Sequence, residues 1–273
     1  MREPDNAGKG DSEWGFLLTT RALIFLGALA SCAGLGAGAL PASAGTLTDY
    51  RLLVLGAAPV KWGSSVLGTG TAVSYAIVSH DTAFEGARNC GAVGSVDELL
   101  ASSDTSRLAF VGEVAGAFAA WSAAADIRFA AAPPDEADIL IGAQLAPRGR
   151  AFTNVEFVAS AEGGAGRITR SVICLNPLEG WKVGFDGNLD VYDLRYSLIH
   201  EIGHAIGLDH PGVPGELMDF RYLEEFSELQ AGDRAGAVDL YGPVPAPVSV
   251  SSIDGADISI GGGAITVRIS DAD

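Results

Sequence analysis

Residues 200–210 read HEIGHAIGLDH, and no other segment of the chain predicts as much about its architecture. On a helix, His200 and His204 are four residues apart and project from one face, one turn above the other. Gly207 then ends the helix, because glycine adopts the left-handed conformation that turns the chain without a Cβ clash. The turn brings His210 back toward the other two imidazoles. The segment therefore predicts three nitrogen ligands around one point.

This ligand set indicates a catalytic zinc site. Three protein ligands leave one coordination position open for water, whereas structural zinc sites use four. Glu201 sits beside the first histidine, so its carboxylate can take a proton from that water and later pass it to a leaving amine. Three of the four histidines in the chain fall within this one segment, which argues against a chance match. We expect one zinc ion per chain, bound by His200, His204 and His210, with Glu201 as the catalytic base.

The motif is the zinc-binding consensus of the metzincin metallopeptidases, and it resembles most closely that of the matrixins. The similarity runs from about Lys61 to Gly242, through segments that match other elements of the family: FAAWS at 118–122, IRF at 127–129, ADILI at 137–141, LM at 217–218 and the closing stretch at 233–242. The resemblance implies a catalytic domain of the peptidase family M10 type. It also implies an α+β, metzincin-like zincin fold: a twisted, mostly parallel sheet with an antiparallel edge strand, a long active-site helix and a small C-terminal subdomain after the third zinc ligand.

The resemblance gives roles to further residues. Met218 follows His210 by eight residues and corresponds to the methionine of the Met-turn, whose soft thioether forms a hydrophobic floor beneath the metal. The segment after it supplies candidates for the wall of the substrate pocket, namely Phe220, Arg221 and Tyr222. We expect the strand at 151–158 to be an exposed edge above the cleft, where it would bind substrate as an added β-strand.

The chain departs in three places from patterns of the vertebrate matrixins or of other metzincins. Residues 151–175 contain no histidine, so a second, structural zinc is not expected, and His80 lies far upstream in a predicted loop. The tetrapeptide RNCG at 88–91 has a faint likeness to the latency motif of the family, but it follows the first predicted strand, so we interpret the likeness as accidental. Phe220 occupies the position at which astacin-like and serralysin-like relatives carry a tyrosine.

Apolar periodicity and capping residues predict the remaining elements. These are a strand over 66–78, a loop over 79–106, a helix over 108–124, short strands at 127–130, 139–141, 151–158 and 167–175, a motif-bearing helix capped by Asp193 and running through Leu208, and a last short helix over 234–240.

Charge and cysteine content restrict the classes of function. The net charge of −17 comes from 34 acidic and 17 basic residues, and such a surface repels phosphate backbones, so nucleic acid is not an expected partner. Three cysteines are too few for a disulfide-rich scaffold. Cys90 and Cys174 form one candidate pair, since exported thiols oxidise, and the alternative is two separate small core residues. The loop DGNLD at 186–190 is open to two interpretations, a calcium site and a solvated turn that leads into the helix cap.

The N-terminal segment has the features of an export signal. Residues 22–42 are apolar and uncharged, and Ala42-Ser43-Ala44 supplies the small residues that signal peptidase requires. Cleavage before Gly45 would give a secreted protein, and the alternatives are a lipid anchor at Cys32 and an uncleaved membrane segment. The predicted organisation is a signal peptide or N-terminal anchor at 1–44, a matrixin-like catalytic domain at 45–243, and a proline-containing linker with a short β-rich tail at 244–273.

Together these observations predict an exported zinc endopeptidase that hydrolyses peptide bonds with Glu201 as general base. The expected partners are protein or peptide substrates, with a monomeric chain and with membrane contact only through the N-terminal segment. Two alternatives remain. One is a catalytically silent, zinc-containing surface binding module, although such a module has no need of Glu201. The other is a zinc hydrolase that acts on a bond other than a peptide, which the wider matrixin resemblance argues against.

Overall fold

The computed structural model describes residues 49–160 and 163–246, together with the backbone of residues 256–261 and 264–269. The predicted N-terminal signal or anchor at 1–44, with Cys32, lies outside the described residues. Within those residues no helix has both the length and the apolar composition needed to cross a bilayer.

The described chain forms mixed α and β elements. The helices are α1 (Asp97–Ser102), α2 (Arg107–Ala124), α3 (Leu194–Ala205) and α4 (Ala231–Tyr241), with a 3-10 turn at Pro134–Glu136. The strands are β1 (Arg51–Leu52), β2 (Val54–Leu55), β3 (Ala58–Lys61), β4 (Thr71–Ile77), β5 (Thr82–Ala83), β6 (Ala92–Gly94), β7 (Ile127–Ala131), β8 (Ile139–Gln144), β9 (Ala151–Val158), β10 (Gly166–Leu175), β11 (Trp181–Lys182), β12 (Tyr192–Asp193), β13 (Leu208–Asp209), β14 (Ala256–Gly261) and β15 (Ala264–Ile269).

The central sheet is mostly parallel with one antiparallel edge, as the sequence predicts. Strands β10, β8, β4 and β7 follow one another in parallel, and β3 pairs in parallel with the start of β10. Strand β9 pairs antiparallel with β10, from Ala151 opposite Leu175 to Val158 opposite Arg167. Within the described residues β9 has no partner strand on its other side, so its outer edge is available for β-strand addition.

Helices α2 and α3 pack together beneath one face of this sheet. In α2 the buried residues Phe110, Val114, Phe118 and Trp121 recur at helical spacing and enter the main core. The Trp121 indole donates a 2.9 Å hydrogen bond to the Ile199 carbonyl of α3. A buried aromatic ring with its N–H satisfied fixes both the distance and the rotation between the two helices. Helix α3 also packs against β9.

The opposite face of the sheet is covered by the chain between β4 and α1. A second buried cluster there includes Val78, Phe84 and Val93. Cys90 and Cys174 are joined by a disulfide in this cluster, with their Cα atoms 6.4 Å apart. The bond ties the covering loop to β10, the strand next to the free edge of β9. Cys90 therefore has no thiol with which to act as a latency ligand.

The element boundaries differ from the prediction in four places. The first strand begins at Thr71 and not at 66, because residues 62–70 fold around the Lys61 ammonium, which donates to the carbonyls of Trp62, Ser64 and Thr69. The predicted loop over 79–106 contains β5, β6 and α1, and the last helix begins three residues early, at Ala231.

The motif-bearing helix also ends earlier than predicted, at Ala205 and not at Leu208. Gly207 has φ of +107°, and a Cβ there would overlap the Val60 carbonyl oxygen. Both the backbone conformation and the close approach therefore require glycine at this turn.

Candidate functional site

Helix α3 and the turn after it bring three histidines to one point. The Nε2 atoms of His200, His204 and His210 lie 3.2 Å from one another in all three pairs. A tetrahedral metal with nitrogens at about 2.0–2.1 Å would place those nitrogens about 3.3 Å apart. The spacing therefore fits one small divalent cation held by three imidazoles. Among the described residues this is the one group of three or more histidine, cysteine or acidic side chains that could hold a metal ion.

Hydrogen bonds fix the orientation of two of the rings. His200 Nδ1 lies 2.9 Å from the Leu217 carbonyl oxygen, and His204 Nδ1 lies 2.8 Å from that of Leu208. A carbonyl oxygen only accepts, so both Nδ1 atoms must carry the proton and both Nε2 atoms must carry a lone pair. Two facing lone pairs cannot hydrogen-bond each other. The chemistry of this donor set therefore fits a bound metal cation.

The environment keeps the rings in the form that binds metals. Burial, with the neighbouring His204 and His210, holds the pKa of His200 well below its usual range. Burial, followed by the His204 charge, lowers the pKa of His210 to about 3. Both rings are therefore neutral at physiological pH, and the neutral imidazole is the metal ligand.

Glu201 is buried beside the histidines and is held by the edge strand. Its Oε2 accepts a 2.7 Å hydrogen bond from the hydroxyl of Thr153 on β9, and the same hydroxyl lies 3.0 Å from the Glu201 backbone carbonyl. Burial raises the pKa of the Glu201 carboxyl, an effect that the neighbouring His204, the Thr153 hydrogen bond and the Arg150 charge oppose. A raised pKa moves a carboxylate toward the range in which it exchanges protons efficiently near neutral pH. The prediction from the motif did not include Thr153, although it placed strand 151–158 above the cleft.

Met218 lies directly beneath the motif helix. A Cβ at Gly203 would overlap the Met218 sulfur and would also approach the Trp121 ring. The glycine of the HEIGH segment is therefore the residue that lets the thioether reach the helix backbone. Met218 is 3% exposed, and the Leu217 carbonyl before it is the acceptor for His200, so this turn both supports the site and orients one of its rings.

Two buried carboxylates hold that turn in place, and the sequence analysis assigned a role to neither of them. Asp233 at the start of α4 accepts hydrogen bonds from the backbone N–H groups of Leu217, Met218 and Gln230. Glu216 accepts in return from the N–H groups of Gly232 and Asp233. Because unpaired N–H groups at a helix start are costly when buried, these bonds fasten the Met-turn to α4.

A small pocket opens beside Glu201 and His200. Phe220 and Arg221, two of the three predicted wall residues, line it. Tyr222 is outside the lining: its hydroxyl donates to Glu224 and accepts from the Asp193 backbone N–H. The remaining wall includes residues that the motif could not reveal, namely Arg150, Tyr196, Ser197 and Asp219.

The loop at 186–190 contains a cation that the chain supplies itself. The Lys182 ammonium contacts Asp186 Oδ1, the Asn188 carbonyl oxygen and Glu224 Oε1. Burial acts to lower the pKa of Lys182, but the hydrogen bonds that its ammonium donates to Asp186 and Glu224 raise that pKa on balance. The structure therefore gives no specific support to the calcium interpretation of this loop, and its oxygen atoms surround an ammonium group.

Comparison with known proteins agrees with the site. The family model described as matrixin matches residues 99–242, which is more than half of the 273-residue chain. Matrix metalloproteinase-20 of Homo sapiens is 30% identical over 137 residues, or 46% of this chain and 26% of the relative. Matrilysin of Mus musculus is 37% identical over 67 residues, or 23% and 24%. Matrix metalloproteinase-9 of Canis lupus familiaris is 46% identical over 57 residues, or 20% and 8%. The matched regions thus span about a quarter or less of the length of these curated relatives.

Proposed function

The chain belongs to the matrixin family of metallopeptidases, and on that premise we propose that it is an exported, zinc-dependent endopeptidase. The observation that carries the proposal is the triangle of histidine nitrogens at 3.2 Å, with the buried Glu201 carboxylate on the same helix. A binding module would need the triangle alone. A hydrolase needs a base beside it, and Glu201 meets that requirement.

His200, His204 and His210 would hold the zinc ion. When bound, zinc supplies Lewis-acid polarisation of the scissile carbonyl and lowers the pKa of water at that position. The protein contributes the orientation of the ligands, since the carbonyl oxygens of Leu217 and Leu208 hold two of the rings in the required tautomer.

Glu201 would move the proton. Its carboxylate accepts a proton from the attacking water as the oxygen forms its bond to the carbonyl carbon. It then gives the same proton to the amine nitrogen as the carbon–nitrogen bond breaks. The Thr153 hydroxyl donates to Oε2 at 2.7 Å, so the carboxylate is restricted in rotation before substrate arrives.

The free edge of β9 would bind the substrate backbone. An extended peptide added antiparallel to β9 would continue the sheet, and its scissile bond would pass Thr153 and Glu201. Side chains at alternate positions of that peptide point toward the floor of the cleft, and one of them would enter the pocket that Phe220 and Arg221 line.

We extend the proposal to the organisation of the chain. Residues 1–44 direct export, 45–243 form a monomeric catalytic unit and 244–273 form a linker and tail. Within the tail, β14 and β15 pair as an antiparallel hairpin from Ala256 opposite Ile269 to Gly261 opposite Ala264.

Digestion of a peptide library by the purified, zinc-loaded chain tests the proposal. We expect internal cleavage, mapped by mass spectrometry, that a zinc chelator abolishes and that added zinc restores. A chain that binds zinc stoichiometrically but cleaves neither the library nor casein would favour the silent binding module and would refute the peptidase assignment.

A further inference from the structure

The pocket beside Glu201 is lined by an arginine, Arg150, that forms no ion pair within 4.0 Å in the described chain. We propose that this pocket selects an acidic substrate side chain, aspartate or glutamate, at the residue that follows the scissile bond, and that Arg150 is the specificity-determining residue. The inference rests on the proposed peptidase function and adds to it the class of substrate.

Arg150 is stacked but not paired. Its guanidinium carbon lies 4.1 Å from the centre of the Tyr192 ring and 5.5 Å from that of Tyr222. Its Nε is buried without a hydrogen-bond partner, and no carboxylate of the described residues lies within 4.0 Å of the guanidinium. Stacking holds the plane of the group, and Arg150 lines the pocket. A planar guanidinium binds a carboxylate through two parallel hydrogen bonds.

The other charged pair of the pocket wall is internally compensated. Asp219 Oδ1 accepts a 3.3 Å hydrogen bond from the Arg221 backbone N–H and lies 4.0 Å from Arg221 Nε. Asp219 and Arg221 therefore offset each other. Glu201, the other carboxylate of the wall, interacts with the Arg150 charge but forms no ion pair with it within 4.0 Å. A lysine or arginine side chain from a substrate would be repelled by the Arg150 guanidinium, whereas a carboxylate would pair with it.

A second unsatisfied group lies in the same wall. The Ser197 hydroxyl is buried and without a hydrogen-bond partner in the described chain, and the residue is 4% exposed. Buried hydroxyls are almost always hydrogen-bonded in folded proteins. Ser197 lines the same pocket as Arg150, and an acidic ligand bound there would bring acceptor oxygens that both groups lack. A leucine side chain would satisfy neither.

The position of the pocket along β9 identifies which substrate residue enters it. Arg150 and Ala151 line the pocket at the start of the strand, and Thr153 contacts Glu201 two residues later. A substrate added antiparallel to β9 runs in the opposite direction, so its C-terminal half lies against the start of β9. The pocket therefore takes the side chain on the C-terminal side of the scissile bond.

The test uses four fluorogenic peptides that differ only at that residue, which is Glu, Gln, Leu or Lys. We expect the wild-type chain to cleave the Glu peptide with kcat/KM at least about 10-fold above the Gln peptide, the range of a charge-assisted hydrogen bond in a desolvated pocket. Arg150→Gln should bring that ratio close to one. Ser197→Ala should lower it by a smaller factor. Arg128→Gln is the matched control, because its guanidinium is 77% exposed at the far edge of the sheet, and it should keep the wild-type ratio.

Two further measurements test the role of Arg150 independently of the Arg150→Gln variant and of turnover. Arg150→Lys retains the charge and loses the planar fork, so its ratio should fall between those of wild type and Arg150→Gln, even if the latter variant is too unstable to assay. Binding of the same peptides to the zinc-loaded Glu201→Gln chain, measured by fluorescence anisotropy, should show the same Glu-over-Gln order without turnover.

A preference for Leu or Lys, or a Glu-to-Gln ratio that survives both Arg150 substitutions, would overturn the specificity assignment while leaving the peptidase proposal intact. Tight binding of the Glu peptide without cleavage by the wild-type chain would support the pocket and would overturn the peptidase proposal instead.

Discussion

The loop at 182–190 and the segment at 200–210 each bring metal-ligating side chains together. They differ in whether the chain itself supplies a cation that contacts those ligand atoms. In the first, carboxylate and carbonyl oxygens surround the ammonium of Lys182. In the second, His200 and His204 direct two lone pairs at each other across 3.2 Å, because their Nδ1 protons are already donated to carbonyl oxygens. The oxygen cluster has its own cation, and the nitrogen pair has an arrangement that only an external cation satisfies.

This difference shows that a list of ligand types does not define a metal site. The sequence DGNLD resembles a calcium loop in the placement of its oxygens. However, Lys182 lies four residues before Asp186, and its ammonium contacts the Asp186 carboxylate. The deciding feature is whether a protein-derived charge already fills the cluster. Substitutions that remove one side-chain group in or beside either cluster test this difference.

The largest effect should follow loss of a ligand from the nitrogen cluster. His204→Ala leaves two imidazoles, which hold zinc poorly, so we expect no stoichiometric zinc by elemental analysis and no detectable peptide hydrolysis. Wild type should contain one zinc per chain. Because a ligand present at about 1,000 times its Kd stabilises a fold by about 4 kcal/mol, the melting temperature of the variant should also cease to respond to zinc.

His80→Ala is the matched control for that experiment, since His80 is the one histidine outside the cluster and is exposed in the loop after β4. It should keep full zinc content and activity. Two zinc ions per wild-type chain, or zinc retained by His204→Ala, would contradict the three-histidine assignment.

The next largest effect should come from Glu201→Gln, which preserves size and removes the proton acceptor. Zinc content should stay at one per chain, and kcat/KM should fall by about 10²–10⁴-fold, the range for losing a general base. Glu98→Gln, at an exposed position in α1, should have no effect. Near-normal hydrolysis by Glu201→Gln would refute the proposed base, and loss of zinc would make Glu201 a support of the metal site.

The sequence could predict the nitrogen cluster because all of its parts are local. His200, His204 and Gly207 follow from the geometry of one helix and its end, and the fold class followed from the matrixin resemblance. The residues that were missed act over long sequence separations. Thr153 reaches Glu201 from 48 positions away, and Asp233 reaches Leu217 and Met218 from α4. No local pattern marks such contacts, since they exist only once β9 and α4 have packed against α3.

The wrong start of the first strand has a different cause. Residues 66–78 are β-rich in sequence, but the first of them belong to the segment 62–70, which folds around the buried cation Lys61. The three carbonyl partners of Lys61, on Trp62, Ser64 and Thr69, lie in that segment. A buried ammonium is stable only when its protons are donated to acceptors, so this loop forms at the expense of a longer β4. Burial of Lys61 was not predictable from its charge.

A smaller effect should follow removal of the Thr153 hydroxyl. Thr153→Val keeps the β-branched shape that suits a strand and deletes the hydrogen bond to Glu201 Oε2. We expect kcat to fall by about 10-fold, with KM and zinc content unchanged, since a hydrogen bond to a charged group contributes about 1.5–3 kcal/mol. Thr153→Ser should restore most of the activity. A valine variant with wild-type kcat would show that Glu201 is held by the helix alone.

The smallest effect should arise in the oxygen cluster. Removal of the Lys182 ammonium tests whether that group takes the place of an external cation. Lys182→Met keeps an unbranched side chain of similar length and removes the ammonium, so the carboxylates of Asp186 and Glu224 lose the charge between them and repel each other. We expect a melting temperature a few degrees below that of wild type, measured in zinc-saturated buffer without calcium. Millimolar calcium should then raise the melting temperature of the variant more than that of wild type, because the oxygens of Asp186, Asn188 and Glu224 that contacted the ammonium are of the type that calcium prefers. The double variant Lys182→Met with Glu224→Gln has one carboxylate fewer and should lose most of this calcium response. If calcium stabilises wild type and Lys182→Met equally, the ammonium is not the group that fills this cluster, and the contrast between the two regions would not hold.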